Sequence, residues 1–150
     1  RAVAINYGYY STDPEIIHAI DALLDFSQET LDAASGYIFD SDKTPEKDDN
    51  WVGVWKKKGD LLENRLKMHG KPFVAGTDSP TLADFSVTCH YFAQIYNPNG
   101  MFGPLAQRVK DEVIAKQPLM KRYLEETMMN CAEFKTYASK RDETRPGRPF

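Results

Sequence analysis

Residues 82–96 limit what this chain can fold into more than any other stretch, because they read as a helix without a polar face. Leu82, Phe85, Val87, Cys89, Tyr91, Phe92, Ile95 and Tyr96 are spread around the helical circumference. Such a helix has to be central and packed on all sides. Burying its first turn would strand up to four amide donors unless a cap satisfies them. Thr81 and Asp84 supply one. They stand three residues apart, as in a capping box with Asp in place of the commoner Glu or Gln, with Pro80 and Phe85 at the staple positions. Asn97-Pro98-Asn99-Gly100 ends the helix.

Its neighbours read as amphipathic helices. Asp13 before Pro14 is a start signal. Ile16, Ile17, Ile20, Leu23, Leu24, Leu31, Ala34 and Ile38 then recur at helical spacing, predicting one helix over 14–39. Asp40 to Asn50, rich in acids and containing Pro45, reads as a solvated loop. A second helix is expected over 51–69, with Trp51, Val54, Trp55, Leu61, Leu62 and Leu66 inward and Gly59 weakening its middle. Gly70-Lys71-Pro72 ends it. A phosphate loop would need Ser or Thr after the lysine, so that motif is excluded. Phe73 to Gly76 is a short extended link. Three shorter helices follow at 104–115, 118–129 and 131–140, and the Arg- and Pro-rich end reads as a surface strap. Ala2, Val3, Ile5 and Tyr7, before Gly8, look like the last turns of a helix that began upstream.

Composition removes several classes. A net charge of −3, from 19 basic and 22 acidic residues, offers no basic field for nucleic acid or an anionic membrane. No apolar run approaches the ~20 residues of a membrane span. With two distant cysteines, Cys89 and Cys131, a four-ligand zinc set is impossible, and both read as reduced thiols of a cytoplasmic compartment. His18, His69 and His90 lack metal-ligand spacing, and His90 reads as a satisfied core histidine. Lys56-Lys57-Lys58 reads as ordinary exposed charge. Asp21, Asp25 and Glu29, four residues apart, line one helix face that by itself reads as solvated.

The helix end at Ala2-Val3, the long helix after Pro14-Glu15, Gly70-Lys71-Pro72-Phe73-Val74-Ala75-Gly76 and Thr81-Leu82-Ala83-Asp84-Phe85 together resemble the glutathione transferase family. The match is to the all-helical C-terminal domain of a cytosolic, sigma- or pi-like member. It runs on to Glu133-Phe134-Lys135-Thr136-Tyr137 and the Arg-Pro-rich terminus.

The resemblance implies an all-α bundle of five to six helices over residues 11–150. Residues 1–10 would be the remnant of the last helix of a thioredoxin-like domain, which in the family carries the thiol-activating hydroxyl and most of the glutathione site. Glutathione would be a co-substrate and a hydrophobic electrophile the other, with no other cofactor and no metal. A homodimer would form through the face of helix 14–39. Glu29, where the family usually has Asp, would reach the ammonium of the glutathione bound by the partner. Ser35 and Phe39, with Tyr37 nearby, would line the electrophile pocket. Thr81 and Asp84 would be structural, and no catalytic residue is expected within the 150 residues. The alternative is a non-catalytic scaffold or docking module of the same fold in a multiprotein assembly, which fold resemblance alone does not separate from the enzyme.

Overall fold

The computed structural model describes residues 1–144 and is all-helical among them. The basic strap expected at the C-terminus falls outside the described residues. The helices are α1 (Ala2–Asn6), α2 (Pro14–Phe39), α3 (Pro45–His69), α4 (Leu82–Tyr91), α5 (Gly103–Glu112), α6 (Pro118–Arg122) and α7 (Ala132–Thr144). Two π-helical segments, Phe92–Tyr96 and Tyr123–Met128, continue α4 and α6, and a 3-10 turn at Ile114–Lys116 follows α5.

α2 begins and ends where the sequence places it. The Asp13 carboxylate accepts from the Glu15 N–H at 2.9 Å, with Pro14 in the first turn, where a missing N–H costs nothing. α3 starts earlier than the expected 51. Thr44 caps it, Pro45 opens it, and Glu46 and Asp48 occupy the first turn, where the helix dipole favours acids. The acidic stretch is therefore loop only up to Thr44. Gly70 closes α3 in the left-handed conformation at φ 63°, donating its N–H to the Leu66 carbonyl.

Every residue from Thr81 to Asn97 is buried or half-buried, so the 82–96 helix is central as its composition demands. α2 and α3 pack against one another and bracket the bundle, with α5 and α6 closing on α3. The core is aromatic at its centre. Trp51 stacks on Phe102 at 4.6 Å between ring centroids, and Trp55 meets Trp51 at 5.7 Å and the edge of Tyr91 at 4.8 Å. Both π segments lie within this core, and Tyr96 of the first donates its hydroxyl to Glu125 of the second at 2.9 Å. The sequence shows the helical spans there but not the π turns.

Residues 1–10 are tied to the bundle. The Leu82 N–H donates to the Tyr9 carbonyl at 2.8 Å, and the Tyr9 ring meets the edge of Phe85 at 5.0 Å. On α1, however, Val3 is 70% and Ile5 56% exposed, with Tyr7 just after it at 74%.

Gly59 is there for space. A Cβ at this position would run into the buried Gln117 side chain, with its amide carbon 2.9 Å away, and Gln117 is held by a 2.6 Å bond from Nε2 to Asp60. Gly59→Ala should therefore destabilise the protein by about 1–3 kcal/mol, although an exposed helix would gain up to ~1 kcal/mol from the change. Urea unfolding of Gly59→Ala alone and with Gln117→Ala checks this: the second substitution should recover most of the loss.

Candidate functional site

Two regions carry the sequence-predicted site residues. The first is a polar knot inside the fold. The Asp84 side chain, with no solvent exposure, takes four donors on its two oxygens. Oδ2 accepts from the Thr81 N–H and the Thr81 hydroxyl, both at 2.7 Å. Oδ1 accepts from the Val74 N–H at 3.0 Å and the Tyr123 hydroxyl at 3.1 Å. The reciprocal capping box is formed. One carboxylate therefore does more than cap α4: it fastens the 73–76 link to the bundle and anchors the second π segment. Arg65 of α3 completes the attachment, donating from Nε to the Val74 carbonyl at 3.0 Å. The partners Val74 and Tyr123, ten and 39 residues away, could not be read from local spacing.

The second region is the outward side of α2. Asp25 and Glu29 are exposed there, and neither is bonded to any described residue. Asp21 differs, although it belongs to the same row. It accepts from the Tyr10 hydroxyl at 2.6 Å and pairs with Arg1 at 3.2 Å, so it holds the N-terminal segment down. That bond, with burial, pushes the Tyr10 hydroxyl pKa above its ordinary value. Phe39 is 86% exposed at the end of the helix, and Ser35 is half-buried one turn before it.

A cleft of about 230 Å³ lies between the end of α2 and the start of α3, and its lining includes neither Ser35 nor Phe39. Tyr37, Trp51 and Val54 form its apolar wall, Ala33 and Gly36 its near side, and Asp40, Lys47 and Asn50 its rim. The Tyr37 hydroxyl donates to Asp48 at 2.6 Å, which with burial pushes its pKa up to about 12, so the phenol stays protonated at neutral pH. Lys47 pairs with Asp40 at 2.6 Å and holds that carboxyl below its ordinary range. Of Ser35, Tyr37 and Phe39, this cleft takes Tyr37 into its wall. The rest of the cleft depends on α3 beginning at Pro45, which the Thr44-Pro45 cap signalled and the acidic composition obscured.

A third feature contradicts the sequence reading outright. Lys58 is not exposed charge. It is fully buried on α3, and its amine has no hydrogen-bond partner. Among the described residues no group of three His, Cys, Asp or Glu side chains is placed to hold a metal ion. No helix there is long and apolar enough to cross a membrane. Neither a protein-family model nor a curated protein matches the chain.

Proposed function

We propose that the chain is the substrate-binding and dimerisation domain of a glutathione transferase, the half that shapes the electrophile site while a preceding thioredoxin-like domain activates the thiol. One observation carries the reading. Two of the segments whose sequence bears the family resemblance, 70–76 and 81–85, are joined by the buried Asp84 carboxylate inside an all-helical bundle.

The surfaces are compatible with it. Val3, Ile5 and Tyr7 are exposed apolar side chains on the N-terminal segment to which the preceding domain would attach. Asp25 and Glu29 project unpaired from α2, the helix assigned to the homodimer. Across that dimer the Glu29 carboxylate would accept from the ammonium of the partner's glutathione. Glutathione would be the co-substrate, and its thiolate would attack a hydrophobic electrophile held against the C-terminal end of α2 by Ser35 and Phe39. Phe39, now facing water, would gain its apolar surroundings from the neighbouring domain or subunit. The cellular setting proposed is the cytoplasm.

Adsorption of the full-length protein to immobilised glutathione tests this. Retention is expected, with Glu29→Gln weakening it on the order of tenfold or more, as loss of a charged hydrogen bond of about 1.5–3 kcal/mol requires. Retention that ignores the substitution removes Glu29 from the site. No retention at all favours the docking-module alternative.

A further inference from the structure

We propose that the Lys58 amine is a proton-operated latch between α3 and α4, closed while the nitrogen is neutral and loosened when it takes up a proton. The geometry is that of a base placed where its charged form has no counterpart. Lys58 is fully buried, and its Nζ lies 5.5 Å from the centroid of the Trp55 ring and 5.6 Å from that of Tyr91 across the α3–α4 seam. Ring faces attract an ammonium but accept none of its three N–H bonds in full.

Among the described residues no carboxylate pairs with the amine, and Asp84, the buried carboxylate of α4, is taken up by Thr81, Val74 and Tyr123. The buried positions of α2 (Ile20, Leu23, Ser27, Thr30, Ala34), of α5 (Leu105, Ala106, Val109) and of α6 (Met120) carry no charge. On α3 itself, Asp60 is engaged by Lys56 and Gln117, and Glu63 accepts from the Met120 N–H. α4 contributes Tyr91 and His90. Burial pushes the Tyr91 phenol far above its ordinary range, so it stays neutral, and burial together with the Lys58 charge pushes His90 down to about 4. Of Lys58, His90 and Tyr91, Lys58 is the one that titrates around neutrality. Burial lowers the Lys58 pKa from its ordinary 10.5 to about 7.

The sign follows from linkage. When the seam opens, the amine reaches water and regains its ordinary affinity for protons, so the open state binds the proton more tightly than the closed one. Between 10.5 and about 7 the closed seam loses ground as the pH falls. Below about 7 both states hold the proton and the dependence flattens. The latch is tight at alkaline pH and loosest from neutrality downward.

Native-state hydrogen exchange of the full chain between pH 9.5 and 6, corrected for intrinsic exchange rates, tests this on the amides of residues 55–59 and 88–91. The expected opening constant rises close to tenfold for each pH unit lowered towards 7 and then levels off. Lys58→Met, of similar volume, should abolish the slope, and His90→Gln should keep it. Should the methionine variant fail to fold, the wild-type profile decides alone. A flat wild-type profile, or the same slope persisting in Lys58→Met, overturns the proposal. So do amides of residues 55–59 and 88–91 that open no more readily than those of Leu23 and Val109 at every pH, because Lys58 would then reach water only through whole-domain unfolding, which carries the same slope, and not through the seam.

Discussion

Asp84→Ala is expected to remove about 3–5 kcal/mol of stability, at the upper end of what single substitutions cost. The physical reason is the number of donors left behind. Two backbone N–H groups, at Val74 and Thr81, and the Thr81 hydroxyl would lose their acceptor inside the protein, while the Tyr123 hydroxyl would keep its longer bond to the Asp84 carbonyl at 3.4 Å. Each buried donor without a partner costs about 1–3 kcal/mol, and water entering the space of the lost carboxylate would offset part of the sum. At 150 residues, each kcal/mol moves the midpoint by roughly 2–4 °C, so the thermal transition should fall by about 10 °C.

Asp84→Asn keeps the volume and one acceptor oxygen, so it should fall between wild type and alanine. Thr81→Val removes one donor and leaves the carboxylate with three, which should cost only ~1 kcal/mol. Thermal unfolding of the three variants checks the ranking. Equal losses for Asp84→Ala and Thr81→Val would show that the 73–76 link and Tyr123 do not depend on the carboxylate.

Trp55→Ala should cost a similar 3–5 kcal/mol, for a different reason. Its side chain is fully buried, touches Trp51 and Tyr91, and covers the Lys58 amine. Deleting it removes apolar area and leaves a cavity beside Trp51 and Tyr91. The same cavity would let water reach Lys58, so the variant's stability should depend less on pH between 7 and 10 than that of wild type. Trp55→Phe separates packing from polarity. The Trp55 Nε1 donor has no partner, so phenylalanine removes an unsatisfied group while keeping most of the ring. Its cost should be well under half that of alanine. Urea unfolding at pH 7 and pH 9 measures both effects.

In α3 residue type and helical spacing conflict at Lys58. Trp51, Trp55, Leu62 and Leu66 fall on one helical stripe, and Lys58 sits between them at the same spacing. That spacing points inward, whereas the residue type, third in a run of three lysines, points to solvent. Leu61, expected inward, is instead 37% exposed beside that stripe. Composition misleads again at residues 45–50, whose acids suit a helix N-terminus and form the first turns of α3.

Local chemistry alone determined the ends of α2, the stop at Gly70, the span of the central helix and the need for a cap on its first turn. Each depends on residues within one or two turns of one another, where backbone sterics and short hydrogen bonds decide the outcome. Only the tertiary structure decided that Asp84 also holds Val74 and Tyr123, that the cleft beside Tyr37 opens between α2 and α3, and that an unpaired amine lies against the rings of Trp55 and Tyr91. Those arrangements join positions far apart in the chain, and burial, which no local pattern measures, sets their energies.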